Sequence, residues 1–137
     1  MKRPFLLDTC AAIWLMEATL PKSAVEALTA AVNHGLPTYV SPITAWEAGP
    51  LTRKKKLKSR LTPRSWFEHL LAIPGMSLAE MPPAVLIAST ELPDFPENDP
   101  VDRIIAATAR EYGLRVVTRD KPLLDYGKQG YLSVLEC

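Results

Sequence analysis

Short apolar runs alternate along this chain with longer stretches of helical spacing. The run Phe5-Leu6-Leu7 comes first, and residues 4–7 read as a short buried strand. Thr9 to Glu17 reads as a helix with Asp8 at its cap position. A second helix starts at Pro21. Its apolar positions Ala24, Val25, Leu28, Ala31 and Val32 recur at helical spacing, and Gly35 ends it. Residues 37–41 read as strand. Ser41-Pro42 opens a third helix carrying Ile43, Trp46 and Glu47, which Gly49-Pro50 is expected to kink or break. A fourth helix runs from Thr62-Pro63 to Ile73 on the apolar face Trp66, Phe67, Leu70 and Leu71. After the Pro74-Gly75 turn come a short strand from Met76 to Glu80 and a helix from Pro82 to Leu92. Residues 93–98 form an acidic loop. Asp99-Pro100 then begins the clearest helix, which runs to about Tyr112 and stops at Gly113. Residues 115–118 are strand, Pro122 to Tyr126 a short helical turn, and Tyr131 to Leu135 a last edge strand. This alternation predicts an α/β fold with a mostly parallel central sheet covered on both faces.

Composition adds bounds. Residues 1–137 fit one domain, and 47% hydrophobic with 23% charged residues is ordinary for a globular chain. Cys10 and Cys137 offer neither metal-ligand spacing nor a disulfide framework, which suits a reducing compartment. Met1-Lys2-Arg3 before an apolar run could open a signal peptide, but Asp8 and Glu17 interrupt it. No apolar run reaches the length of a membrane span. The expectation is a cytoplasmic protein with no membrane partner.

The chemistry lies in four acids far apart in sequence. Asp8 ends the first strand, and Asp120 follows the strand at 115–118 by two residues. Asp102 sits in the first turn of the helix opened by Asp99-Pro100, and Glu47 lies on a helix that follows a strand. A parallel sheet brings such positions to its carboxyl edge, where ligands bind in open α/β folds. Acids gathered there repel one another unless a cation or a shared proton intervenes. Taken singly, each has a plainer reading. Asp8 caps a helix, Asp120 starts a turn, and Asp99 with Asp102 makes a capping box. Glu47 is harder to explain, because Ile43 and Leu51 flank it on one helical face. Arg53 and Lys54 come within its reach only if the helix survives Pro50.

Net charge is +1, but the distribution is uneven. Arg53, Lys54, Lys55, Lys56, Lys58, Arg60 and Arg64 form a block with no acid between Glu47 and Glu68. Such a block is either a solvated face or a phosphate-binding rim beside the acids. Trp14, Trp46, Trp66 and Phe67 read as core or dimer-interface residues rather than base-stacking platforms.

The stretches LLDT around Asp8, SPITAWE ending at Glu47, DPVDRIIAATA around Asp102 and VVTRD ending at Asp120 resemble the motifs of PIN-domain ribonucleases. More narrowly, they resemble VapC-type toxins of bacterial toxin–antitoxin pairs. The resemblance covers nearly the whole chain in the expected order. It implies a PIN-like α/β/α sandwich and an endoribonuclease with Mg²⁺ or Mn²⁺ held by Asp8, Glu47, Asp102 and Asp120. It gives Thr118 a supporting role in orienting a water or phosphate, with Thr9 and Asp99 as weaker candidates. It further implies an RNA substrate, a cognate antitoxin and a homodimer. Residues 53–58 (Arg53, Lys54, Lys55, Lys56 and Lys58) would then hold the RNA backbone. Two other function classes stay open at this point: a catalytically idle module that binds RNA or protein, and a phospho-accepting receiver domain. The second acid that a receiver needs after its first strand is missing.

Overall fold

The computed structural model describes residues 2–137. Five strands form one sheet: β1 (Phe5–Leu7), β2 (Thr38–Val40), β3 (Met76–Leu78), β4 (Arg115–Thr118) and β5 (Ser133–Glu136). Their order is β3-β2-β1-β4-β5, and every pairing is parallel. The helices are α1 (Thr9–Met16), α2 (Lys22–Asn33), α3 (Pro42–Arg53), α4 (Pro63–Leu71), α5 (Pro83–Thr90), α6 (Pro100–Tyr112) and α7 (Lys121–Lys128). Proline opens five of them, at Pro42, Pro63, Pro83, Pro100 and Pro122. Its missing N–H costs nothing in a first turn, and its φ already suits a helix.

The strands are apolar on both faces because helices cover both. Phe5, Leu7 and Val117 join a core with residues of α1 to α4, while Leu6 and Val116 point to a second core with α6 and α7. This is the three-layer sandwich that the alternation of elements predicts. The strand order reverses direction at β1 and β4, which lie side by side. In open parallel sheets that switch point leaves a crevice at the carboxyl ends of the strands. Asp8 and Asp120 follow those two strands. The order also differs from the 2-1-3-4-5 arrangement of receiver-type folds.

Three expectations need correction. Gly49-Pro50 does not break the third helix, which runs as one element to Arg53. Pro50 deprives only the Trp46 carbonyl of its donor, and that part of the helix faces solvent, with Trp46 67% exposed. Beyond it the ladder resumes, with Lys54 N–H donating to the Pro50 carbonyl at 3.0 Å. Trp46 is therefore no core residue, whereas Trp66 is 2% exposed. Lastly, the turn read at Pro122 to Tyr126 is a full helix, α7. Leu123 and Tyr126 anchor it in the core, and the Tyr126 hydroxyl donates to the Pro93 carbonyl at 2.6 Å.

Candidate active site

Asp8 is buried at the start of α1. Its Oδ1 accepts from the Ala11 N–H at 2.8 Å, so the capping role is real. Its Oδ2 accepts from the Thr118 hydroxyl at the end of β4. Thr118 is fully buried, and the same hydroxyl accepts from the Asp120 N–H at 3.0 Å. That hydroxyl is thus committed to two neighbours and ties Asp8 to Asp120 across the switch point.

Asp120 occupies the cap position of α7 but makes no side-chain cap bond. Its Oδ2 is buried with no hydrogen-bond partner among the described residues. Leaving a carboxylate oxygen so placed is costly, so the turn explanation does not account for Oδ2. The capping box read at α6 does not form either. Asp99 caps Val101 N–H at 2.9 Å, but the Asp99 N–H is taken by Glu97 Oε1 at 3.2 Å, not by Asp102. Asp102 is left half-buried without a capping duty.

Glu47 is half-buried on α3. Neither Arg53 nor Lys54 pairs with it, and among the described residues the only ion pairs are Lys22–Glu26 and Lys121–Asp125. Thr9 faces the same helix, its hydroxyl 3.0 Å from that of Thr44. None of the four acids pairs with a protein cation among the described residues, and Asp8, Glu47, Asp102 and Asp120 all lie close enough to act on the Cys10 thiol.

The electrostatics follow from burial and like charge. Burial raises Asp102 to about 7, helped by the charges of Asp120, Asp99, Asp8 and Glu97. Burial also raises Asp8, against its bonds from Thr118 and Ala11, with Asp120 and Glu47 adding to the rise. Glu47 is raised by burial, opposed by the Thr9 hydroxyl, and raised again by Asp99. Asp120 is raised by burial first, opposed by the Leu123 backbone N–H and by the Asp102 side chain, and raised again by Glu97 and Asp99; it is Oδ2 alone that is left without a partner among the described residues. The field reaches the rim as well: Cys10 is an exposed residue, yet its thiol is pushed up to about 11 by local desolvation and then by Asp8, Glu47, Asp120 and Asp102.

Two residues here escaped the sequence reading. Cys10 lies at the rim, two positions after Asp8. Glu97 acts on both Asp102 and Asp120, and its only sequence signal was membership of an acidic loop. Arg103, next to Asp102, holds that loop through the carbonyls of Glu97 at 2.8 Å and Phe95 at 3.2 Å, and ties it to α5 through the Ser89 carbonyl at 3.1 Å. Its guanidinium is thereby kept off the acids.

The donor set is all hard oxygen, which suits Mg²⁺ or Mn²⁺ and not a soft metal. Among the described residues no group of three or more Asp, Glu, His or Cys side chains is close enough to grip one ion directly. Any ion held here would keep waters in its shell, as Mg²⁺ does, which needs only one or two protein carboxylates. The unpartnered Asp120 Oδ2 is a ready ligand of this kind.

The PIN domain family matches residues 5–129 of the chain. A curated relative, Ribonuclease VapC22 of Mycobacterium tuberculosis, is 30% identical over 118 residues, covering 86% of this chain and 88% of that protein. This chain belongs to the PIN-domain family. Solved structures with the same PIN-like fold include VapBC2 from Rickettsia felis bound to a DNA fragment from its promoter, with a TM-score of 0.70 at 16% identity over 96% of this chain and 97% of that one. A toxin–antitoxin complex from Klebsiella pneumoniae has a TM-score of 0.59 at 21% identity, covering 96% and 95%. FitAcB from Neisseria gonorrhoeae has 0.53 at 22%, covering 96% of each chain. PIN-domain membership and the strand order together close the receiver reading. Among the described residues no helix is long and apolar enough to cross a membrane.

Proposed function

We propose that this chain is a metal-dependent endoribonuclease and the toxin of a toxin–antitoxin pair. The observation that carries the reading is that Asp8, Glu47, Asp102 and Asp120 act together on one spot, the Cys10 thiol, without an ion pair to any protein cation, with Asp120 Oδ2 buried and unpartnered among the described residues. The 30% identity to a curated ribonuclease supports RNA as substrate. Solved complexes of the same fold that contain an antitoxin support such a partner here. A homodimer is the assembly that the family resemblance suggests.

Asp8, Asp102 and Asp120 would hold Mg²⁺ or Mn²⁺ at least in part through bound waters, since no three of the described acids reach one ion directly, with Glu47 completing the pocket. Such an ion supplies charge neutralisation at the phosphate and lowers the pKa of a bound water. The protein's own contribution is placement. Thr118 orients Asp8 through Oδ2 and seats the Asp120 backbone. Thr9 lowers Glu47 against its burial and so favours the carboxylate. Asp99 shapes the start of α6 by capping it. RNA cleavage that is lost in EDTA, restored by Mn²⁺ and absent in Asp102→Asn tests the reading. Cleavage that resists chelation would overturn it, and the same result separates an enzyme from an idle binding module.

An acidic pocket repels RNA, so the backbone must be held elsewhere. Arg53 ends α3, about 9 Å along the helix from Glu47 at 1.5 Å per residue, and Lys54, Lys55, Lys56 and Lys58 follow it in the turn and loop beyond; all five are exposed. Replacing Lys54, Lys55 and Lys56 together by Glu is expected to weaken RNA binding and to flatten its salt dependence by about 2 in log–log slope, at roughly 0.7 per phosphate contact on single strands. An unchanged slope in a binding titration across salt would remove these residues from the interface.

A further inference from the structure

Of the three tryptophans, two are accounted for. Trp66 lies in the core, and Trp14 packs against that core with the Arg119 guanidinium 3.8 Å above its ring. Trp46 is different. It is 67% exposed, the most exposed of the large hydrophobic residues, and among the described residues it has no aromatic or cationic partner. Its indole face is open to solvent and available for a base to stack on.

Trp46, Gly49, Pro50 and Arg53 recur at i, i+3, i+4 and i+7 on α3, which places them on one stripe of the helix. Gly49 has no side chain, and a Cβ there would meet only Arg53 Nη1, at 3.6 Å. Arg53 thus folds back over Gly49. It is exposed and has no ion-pair partner among the described residues. The result is a low shelf: a bare indole at one end, glycine and proline in the middle, and a free guanidinium at the other. The pocket acid Glu47 is the next residue after Trp46, and Lys54, Lys55 and Lys56 follow Arg53. The continuation of α3 through Gly49-Pro50 keeps these four positions on one helix.

We propose that the Trp46–Arg53 shelf is a substrate subsite, in which one unpaired base of the RNA stacks on Trp46 while a neighbouring phosphate meets Arg53. This rests on the ribonuclease reading above and deepens it by assigning a residue to base contact. Single strands expose base faces for such stacking and duplexes do not. Charge complementarity favours RNA over a second copy of this chain, because the stripe and the residues after it carry only positive charge.

The test uses the full chain carrying Asp102→Asn, so that the probe survives. The probes are a fluorescently labelled single-stranded oligoribonucleotide of mixed sequence and the same strand in a duplex. Adding Trp46→Ala is expected to weaken single-strand binding about tenfold, the value of one lost stack, with duplex binding and salt slope unchanged. Trp46→Phe should recover most of the affinity. Arg53→Gln should lower the slope by about 0.7. Single-strand affinity kept within twofold in Trp46→Ala, equal losses on duplex and single strand, or no rescue by Phe would each overturn the proposal. So would loss of self-association in sedimentation, which would make the shelf a contact between copies. Failure of the nuclease reading would look different: wild-type protein would bind the strand through Trp46 and leave it uncut in Mn²⁺.

Discussion

Asp102→Asn is expected to abolish RNA cleavage while making the metal-free protein more stable. Asp102 is half-buried, makes no capping bond, and is held at about 7 by burial and by Asp120, Asp99, Asp8 and Glu97. Asparagine has nearly the same shape and cannot carry the charge. Cleavage should fall on the order of 10²–10³-fold, the usual consequence of removing one preorganised electrostatic element from a site. The same change relieves like-charge repulsion in the apo pocket. Its thermal midpoint in EDTA at pH 8 should therefore rise, and Mn²⁺ should no longer raise it further. Activity and stability moving in opposite directions is the mark of a site held against the preference of the fold. Asp120→Asn should behave alike. Asp8→Asn should lose activity and also some stability, because Asp8 caps α1 and receives Thr118. An Asp102→Asn protein that cuts RNA at the wild-type rate would end the assignment.

Lowering the pH should weaken metal binding and strengthen the metal-free fold. The sign follows from Asp102, whose native pKa of about 7 lies above its ordinary value of 3.8. Between those two values the native state binds more protons than the unfolded chain, so apo stability falls as pH rises through this window. The unfavourable contribution is fully present above pH 7 and disappears as pH drops toward 4. Asp8, Glu47 and Asp120 are shifted in the same direction and widen the effect. A cation must displace the Asp102 proton below pH 7, so its apparent affinity should drop about tenfold per pH unit there. The stabilisation conferred by Mn²⁺ should thus be large at pH 8 and small at pH 5.5. Calorimetric Mn²⁺ titrations and thermal midpoints in EDTA at the two pH values check both halves. Pocket acids of ordinary acidity would give equal Mn²⁺ affinity at pH 8 and pH 5.5, and that result would contradict the account.

Much of the fold was legible from periodicity. The helix at Asp99-Pro100 reads from its cap, its proline and Gly113, and the structure ends it at a left-handed Gly113. The misreadings came from local rules overruled by context. Proline inside α3 was weighed as a helix breaker, yet the carbonyl it strands lies where the helix is open to solvent. The span of α7 was underread because Leu123 and Tyr126 are few apolar marks for eight residues, and their burial depends on Pro93 and Phe95 from another loop.

The alternation of apolar runs and helical stretches determined, on its own, that this chain makes a covered parallel sheet with acids at strand ends. Those are local properties, written in residues near one another. What only the tertiary structure decided was which plain explanations fail. Asp8 does cap a helix, but Asp102 makes no capping box, and the unpartnered oxygen of Asp120 is visible only once its surroundings are built. The same holds for Glu97 beside Asp102, for the Thr118 bond to Asp8 across 110 residues, and for the bare face of Trp46. Burial, hydrogen-bond satisfaction and like-charge proximity are sums over neighbours distant in sequence, so no local pattern encodes them.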